Sequence, residues 1–451
     1  MKLLNPLLLS IFSIISSASG APTSVKRGND QQGVVKVDFN VHRGSSVGTA
    51  QLGAQAKRNF KRNTDGTAAI VLENEQSFYM ANMTIGSNHQ MVGVLLDTGS
   101  SDLWVNGRDN IYCSKTSTTG DSTVSKLLET RDTTSIDCSL YGTFDTSMST
   151  SYKSNGSDFA IYYADNTFAK GEWGHDDVTF GSVLVNDLSF AVADEATSEV
   201  GVLGIGLPGL ETTKTQYENL PMKMRSAGLI HSSVYSIYLG SNAEKGTILF
   251  GGVDTSKYQG LLKTVPMVDV ASNRIQVEMN DMTYNGMSFF NHQFYPALLD
   301  SGSTLSLFPQ AVIDLIVSVI DLQYYEELAS YIGSCSMIES SNFTFNFGGA
   351  RIDVPMFNFF FEHMVVNDDG VSRTCVLNVG VSDNVTLGDS FLRGVYTVFD
   401  MEKYELSLAT ATFGDDTENI QPYVDSVPGA ILMSKMTLVQ ICLMWLQGVY
   451  L

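Results

Sequence analysis

Short apolar runs punctuated by Gly, Asn and Asp fill the chain between Glu73 and Ala411. Few of them extend into the 3.6-residue period of a helix, so they predict strands. Examples lie at Ile85 and at residues 92–96, 161–163, 234–238 and 247–250. The best helical candidate is Ala311 to Leu322, directly after Pro309. The pattern therefore predicts a mostly β fold.

One apolar run repeats itself. The segment VLLDTGS ends at Ser100, and ALLDSGS ends at Ser303, 203 residues later. An apolar element ending in Gly follows each copy, at Gly204 and at Gly388. Two copies at such a long period indicate two homologous lobes rather than a solenoid. We place the N-terminal lobe at residues 63–260 and the C-terminal lobe at 261–415, with a cleft between them.

The first 62 residues have a different pattern. Residues 1–20 combine Lys2 with an apolar core and small residues near the end, which predicts a secretory signal peptide. Residues 21–62 hold eight Lys or Arg against two acids. We interpret them as a propeptide that a kexin-type protease cleaves after Lys61-Arg62, although Lys57-Arg58 lies close by. A solvated basic tail is the simpler alternative.

The C-terminal end is apolar again. A short polar linker at 416–429 leads to the apolar tail at 430–451, of which the stretch Met436 to Leu451 is too short to span a bilayer comfortably. A terminal hydrophobic tail of this kind is typical of a GPI-attachment signal. We therefore expect a GPI-anchored protein of the plasma membrane or cell wall. A short membrane anchor, an amphipathic helix, or a secreted extracellular form are the alternatives.

The net charge of the chain argues against one class of function. The whole chain has a formal net charge of −21, which argues against nucleic-acid binding. Residues 63–429 contain 17 basic and 46 acidic residues, so the basic propeptide can dock on them by charge complementarity. The histidines show no metal-ligand spacing, and we expect neither a metal nor another cofactor.

Cysteine and asparagine patterns fit a secreted protein. Cys442 leaves with the tail, and the remaining four cysteines allow three pairings. The simplest pairing closes a short loop in each half: Cys113–Cys138 and Cys335–Cys375. Glycosylation sequons lie at Asn82, Asn155, Asn342 and Asn384.

The paired DTGS and DSGS motifs resemble those of the pepsin-type aspartic proteases, from about Phe78 to Ala409. The chain is most similar to the fungal yapsins, which are cell-surface aspartic proteases. The segments that support this similarity are NEQSFY, VLLDTGSSDLWV, FAVADEATSEVGVLGIGL, ILFGGVDTSKY and LGDSFLRGVYTVFD. The resemblance implies two β-barrel-like lobes, a central cleft and a flap hairpin.

Peptide hydrolysis without a metal or a nucleophilic side chain needs an activated water and a proton donor. Two adjacent carboxyl groups that share one proton supply both functions. We assign Asp97 and Asp300 to this pair.

Six small residues flank the pair, and we expect each to support it. Glycines permit tight turns that let the carboxyl groups approach one another. By resemblance, Thr98 and Ser301 lock the two loops through reciprocal hydrogen bonds. Serine hydroxyls at the fourth position of each motif can donate to the outer carboxylate oxygens. The glycines are Gly99 and Gly302, and the serines are Ser100 and Ser303.

Residues 161–167 resemble the flap of the family. Tyr163 would close over substrate with its hydroxyl near Trp104. Ala164 and Asn166 replace glycines that are common here, which predicts a stiffer flap. Asp165 would lie beside the pocket for the residue preceding the cut and would pair with Lys or Arg. Its alternative role is to form the flap turn with its own backbone.

The polar stretch Lys115 to Asp137 resembles an insertion that yapsins carry near the cleft. We expect it to be exposed and vulnerable to proteolysis. The protein is expected to be a monomer, which becomes two disulfide-linked chains if this loop is cut.

The leading hypothesis is an aspartic endopeptidase that cuts after Lys or Arg in precursor or wall proteins at acidic pH. The alternative is a catalytically silent peptide-binding protein on the same fold. Both Asp-x-Gly triplets are intact, which favours the enzyme.

Overall fold

A computed structural model describes residues 33–43, 77–113, 136–181, 183–240, 245–291, 293–367, 370–414 and 417–433. Several predicted features lie outside these ranges. They are the signal peptide, the Lys61-Arg62 cleavage site, nearly all of the Lys115–Asp137 loop and the tail beyond Met433. Within the ranges, no helix is both long enough and apolar enough to cross a membrane.

Strands dominate the structure, as the apolar pattern predicts. The strands are β1 (Val35–Arg43), β2 (Ser77–Ile85), β3 (Gln90–Asp97), β4 (Leu103–Asn106), β5 (Lys153–Tyr162), β6 (Phe168–Phe180), β7 (Val183–Ala196), β8 (Gly201–Gly204), β9 (Val234–Tyr238), β10 (Lys245–Phe250), β11 (Gly252–Asp254), β12 (Lys263–Pro266), β13 (Gln276–Met279), β14 (Asp281–Tyr284), β15 (Met287–Ser288), β16 (Tyr295–Leu299), β17 (Leu307–Phe308), β18 (Gln323–Tyr325), β19 (Ser330–Gly333), β20 (Asn342–Phe347), β21 (Ala350–Pro355), β22 (Phe360–Asn367), β23 (Gly370–Leu377), β24 (Gly380–Val381), β25 (Val385–Leu387), β26 (Val395–Asp400), β27 (Glu405–Thr410), β28 (Ile420–Pro422) and β29 (Ile431–Leu432). The α-helices are α1 (Leu220–Ser226), α2 (Gln310–Val319), α3 (Cys335–Glu339) and α4 (Asp389–Leu392). Single 3-10 turns cover Cys138–Leu140, Thr146–Met148, Pro208–Leu210, Val270–Ser272, Glu326–Leu328 and Met356–Phe359.

The helix predicted over residues 311–322 exists but is shorter. α2 begins at Gln310, directly after Pro309, and ends at Val319. Asp321 has a positive φ of 53°, a left-handed conformation that a helix cannot continue through. The apolar residues Ile320 and Leu322 are still buried, which explains why the pattern extends beyond the helix.

The N-terminal half contains a closed ring of strands. Its order is β2-β3-β8-β4-β7-β6, and β6 pairs back to β2. The interior is apolar, with Val94, Leu96 and Phe190 fully enclosed. Closure removes the free edges that an open sheet would expose.

The C-terminal half repeats the central part of this arrangement. β16 pairs with β25 in parallel, as β3 pairs with β8, and β17 runs antiparallel to β25, as β4 does to β8. The internal sequence repeat therefore corresponds to a repeated strand topology.

A long sheet crosses the boundary predicted at residue 260. β9 and β10 pair with each other, and β9 also pairs with β26 of the C-terminal half. The sheet joins strands that lie on both sides of that boundary.

One strand of this sheet comes from the predicted propeptide. β1 lies between β10 and β2 and pairs antiparallel with both. Its side chains Val35, Val37 and Phe39 are buried. Charge complementarity thus accounts for only part of the association between the predicted propeptide and residues 63–429. Main-chain pairing and apolar burial also hold β1 in the sheet.

Candidate active site

Asp97 and Asp300 lie at equivalent positions of the two halves, one ending β3 and the other following β16. Their carboxyl groups are hydrogen-bonded to each other. The approach depends on two glycines. A Cβ atom on Gly99 would lie 2.6 Å from Oδ1 of Asp300, and one on Gly302 would lie 2.5 Å from Oδ1 of Asp97. Each glycine therefore makes room for the carboxyl group of the opposite half.

Reciprocal hydrogen bonds join the two loops beneath the carboxyl groups. Thr98 donates its N–H to the Ser301 hydroxyl at 3.1 Å, and Ser301 donates its N–H to the Thr98 hydroxyl at 3.0 Å. The Thr98 hydroxyl donates to the Leu299 carbonyl, and the Ser301 hydroxyl donates to the Leu96 carbonyl, each at 2.9 Å. All four bonds are buried, which fixes the relative position of the two aspartates.

The two serines at the fourth motif position behave differently. Ser100 donates its hydroxyl to Oδ2 of Asp97, as the sequence predicts. The prediction for Ser303 is wrong, because its hydroxyl donates to the Leu305 carbonyl at 2.9 Å. The backbone N–H of Gly302 donates to Oδ1 of Asp300 at 2.9 Å instead. The local turn satisfies the hydroxyl within the same loop, which leaves the main chain to orient the carboxyl group.

The surroundings of Asp97 and Asp300 favour a single proton shared between their two carboxyl groups. Burial and the adjacent Asp97 raise the pKa of Asp300 well above its ordinary value. Backbone N–H groups of Gly302 and Ser303 oppose this shift without cancelling it. Because like charges at this separation cannot both be present, the pair retains one proton in mildly acidic solution.

A hairpin of β5 and β6 forms the predicted flap. The Tyr163 hydroxyl accepts a hydrogen bond from the indole N–H of Trp104 at 2.7 Å. Burial, followed by the charge of Asp97, raises the pKa of Tyr163 well above its ordinary value. Tyr163 therefore lies close to Asp97, and its hydroxyl stays protonated.

The flap turn explains two of its residues. Asn166 has a φ of 66°, in the left-handed region where Asn replaces Gly most readily. Oδ1 of Asp165 accepts hydrogen bonds from the N–H and the hydroxyl of Thr167, at 2.8 and 2.6 Å. Asp165 therefore forms the turn with one oxygen. Nothing in the described part of the chain donates to its other oxygen, Oδ2.

Sequence reasoning missed a buried acidic cluster beside residues 97–102, which are called the catalytic loop below. Asp102 is fully enclosed and accepts hydrogen bonds from the Thr212 N–H and the Tyr217 hydroxyl, each at 2.9 Å. Glu211 accepts the Tyr217 N–H at 2.9 Å. The available signal was an aspartate between the DTGSS motif and the apolar run of β4.

A second buried acid, Asp389, lies close to Asp300. It begins α4, and its N–H donates to the Ser303 carbonyl at 2.9 Å. Burial is the main cause that raises its pKa, and Asp300 adds to the effect. The nearby Tyr79 hydroxyl opposes this rise in pKa.

The structure pairs Cys113 with Cys138 and Cys335 with Cys375, the simplest of the three pairings considered. The Cα atoms are 5.4 and 5.0 Å apart. All four sequon asparagines, Asn82, Asn155, Asn342 and Asn384, are exposed. Among the residues with described positions, no group of three or more His, Cys, Asp or Glu is arranged to hold a metal ion.

Comparison with known proteins adds to this geometry. The family described as "Eukaryotic aspartyl protease" matches residues 78–411. "Aspartic proteinase 3" of Saccharomyces cerevisiae is 34% identical, over 94% of this chain and 86% of its own length. "Aspartic proteinase yapsin-3" of the same yeast is 36% identical, over 82% of this chain and 73% of its own. "Secreted aspartic protease 9" of Candida albicans is 34% identical, over 84% and 85%.

Proposed function

Because this chain belongs to the eukaryotic aspartyl protease family, we propose that it is a secreted or cell-surface endopeptidase that cuts after Lys or Arg. Its class, a yapsin-like aspartic endopeptidase, follows from the family and from the relatives. The observation that carries the residue assignment is the pair of hydrogen-bonded carboxyl groups, Asp97 and Asp300, on equivalent loops.

The pair acts on a water molecule held between the two carboxyl groups. The ionised carboxylate takes a proton from water while the water oxygen bonds to the scissile carbonyl carbon. The protonated carboxyl group gives its proton to the carbonyl oxygen in the same step. In the resulting tetrahedral gem-diol the C–N bond breaks, and the amine leaves with the proton that the pair took from water. One gem-diol hydroxyl returns its proton to the carboxylate that had given up its own, which forms the carboxyl product and restores one proton to the pair. The Ser100 hydroxyl and the backbone of Gly302 keep the carboxyl groups oriented throughout.

Preference for basic residues rests on Asp165 and on overall charge. Oδ1 of Asp165 is occupied by the flap turn, and Oδ2 is available to a cation. The strongly acidic body attracts cationic peptides and raises their local concentration.

We extend the proposal to the route and the maturation of the protein. A signal peptide, two disulfides and four exposed sequons suit the secretory pathway. Cleavage after Arg62 by a kexin-type protease would cut the peptide chain between β1 and the two lobes that carry Asp97 and Asp300. The hydrophobic tail would be exchanged for a GPI anchor.

A peptide-library digest tests the proposal. The full-length protein recovered from a secretory expression host is compared with its Asp97→Asn and Asp165→Ser variants in acidic solution. We expect wild-type cleavage after Lys and Arg, none in Asp97→Asn, and loss of the basic preference with retained cleavage in Asp165→Ser. Asp158→Ser, the same change at an exposed position of flap strand β5, is the matched control. Asp97-independent cleavage would overturn the catalytic assignment, and wild-type cuts between apolar residues would overturn only the specificity.

A further inference from the structure

The segment Leu207–Tyr217 forms a wall behind the flap. Its end is anchored by Tyr217, whose ring centroid lies 5.0 Å from that of Trp173 in flap strand β6. Tyr217 and Tyr163 pack against the same apolar cluster, which is centred on Trp104 and Trp173. Displacement of this segment would therefore remove support from the flap and its tyrosine.

Two carboxyl groups hold the segment. Asp102, on the catalytic loop, accepts the Thr212 N–H at one oxygen and the Tyr217 hydroxyl at the other. Oε2 of Glu211 accepts the Tyr217 N–H and closes the segment on itself. Two further hydrogen bonds join the segment to the catalytic loop. The Ser101 hydroxyl donates to the Leu207 carbonyl at 2.6 Å, and the Tyr217 hydroxyl makes a longer contact of 3.4 Å with the Ser101 carbonyl.

Glu211 is incompletely satisfied in this position. Its second oxygen, Oε1, is enclosed and receives no hydrogen bond from the described residues. The titratable groups that face it are Asp102 and Tyr217, and no cation of the described chain offsets its charge. An ionised Glu211 would thus place a second negative charge near Asp102 in a poorly hydrated site.

We propose that Glu211 is a positioning residue: as a neutral acid it keeps Leu207–Tyr217 against the catalytic loop, and loss of its proton releases this wall and inactivates the enzyme. The proposal rests on the aspartic endopeptidase activity and not on the preference for basic residues.

The titration of Glu211 supports the proposal. Burial, with a further contribution from Asp102, raises the pKa of Glu211 to about 7 from an ordinary 4.5. The folded protein therefore binds this proton more tightly than the unfolded chain does. The stabilisation is complete below pH 4.5 and is lost as the pH rises through about 7. The Asp97–Asp300 pair regains its proton at once when acid is restored, whereas a released segment must also repack against the catalytic loop before activity returns.

Amide hydrogen exchange is the direct test, on the full-length wild type, on Glu211→Gln, which mimics the neutral acid, and on Glu218→Gln. Glu218 is exposed on the same stretch and serves as the matched control. Peptides from 207–217 are followed from about pH 5 to about pH 8, with correction for the intrinsic rate. We expect wild type and Glu218→Gln to lose protection by about tenfold per pH unit between about pH 5 and about pH 7, and to level off above about pH 7. Glu211→Gln should keep its protection, and β9 should stay protected in all three proteins.

Residual activity gives a second readout. Each protein is held at about pH 8, returned to acid and assayed on denatured haemoglobin, with Asp97→Asn as the inactive reference. We expect Glu211→Gln to retain at least about tenfold more activity than wild type and Glu218→Gln.

Three results would overturn the inference. They are the same pH dependence of exchange in Glu211→Gln as in wild type, unchanged wild-type protection of 207–217 up to about pH 8, and simultaneous loss of protection in β9. The last two need only the wild type, so they decide the matter even if Glu211→Gln does not fold. A wild type without Asp97-dependent activity would instead refute the proposed function, while the exchange result is judged separately.

Discussion

Replacing Thr98 by Val should loosen the connection between the two halves directly beneath the catalytic pair. Valine has nearly the shape of threonine but lacks the hydroxyl. That hydroxyl donates to the Leu299 carbonyl at 2.9 Å and accepts the Ser301 N–H at 3.0 Å. Thr98 is 1% exposed, so water cannot replace either bond.

The magnitude follows from these two contacts. A buried group left without its partner costs about 1–3 kcal/mol, and two groups are orphaned here. Partial relaxation of the loops lowers the sum, so we expect Thr98→Val to reduce the free energy of unfolding by about 2–4 kcal/mol. Thr98→Ser keeps both hydrogen bonds and removes one methyl group, and should cost about 1 kcal/mol.

Chemical unfolding in acidic solution measures both variants, and kcat on one peptide substrate reports the catalytic pair. Ser301→Ala should match Thr98→Val, because Ser301 makes the equivalent bonds from the other half. The double variant should cost less than the sum of the single variants, since both changes disrupt one network. Equal stabilities of Thr98→Val and Thr98→Ser, or strict additivity with Ser301→Ala, would refute this account.

Three further predictions follow from the site. Gly302→Ala should lower kcat by at least about 100-fold, since its Cβ would lie 2.5 Å from Oδ1 of Asp97 and displace the carboxyl group; an active variant with wild-type kcat would contradict the close approach. Tyr163→Phe, which removes the acceptor for the Trp104 indole, should lower kcat/KM by up to about tenfold, with Tyr162→Phe on the exposed flap face as control. The Tm should be highest in acid and fall as the pH rises toward 7, because the pKa values of Asp300 and Glu211 are raised in the folded protein; a Tm that rises over this range would reverse the assigned signs.

The sequence predicts those features of the site that local pattern and spacing determine. Strand-length apolar runs predict the β architecture, and the repeated DTGS and DSGS segments predict two equivalent loops. The glycines in them predict the close approach of Asp97 and Asp300, because a residue without a Cβ is required wherever an opposing group comes so near.

The flap illustrates an intermediate case. The sequence offers two roles for Asp165, a turn former and a partner for a basic substrate. The structure assigns one oxygen to the turn through Thr167, since that donor is two residues away and always present. The partner of the other oxygen depends on the substrate and stays a prediction.

Tertiary structure alone decides the features that depend on distant segments. β1 enters the sheet between strands that begin 42 and 210 residues further along the chain, and no local signal within residues 35–43 specifies those neighbours. The Ser303 hydroxyl turns to the Leu305 carbonyl, although its sequence position is equivalent to that of Ser100. The Glu211 carboxyl group acquires a raised pKa only because folding encloses it near Asp102, which lies 109 positions earlier in the sequence. Sequence supplies the chemical groups and their local geometry, whereas desolvation and long-range contact, which set the energies of those groups, arise only when the chain packs.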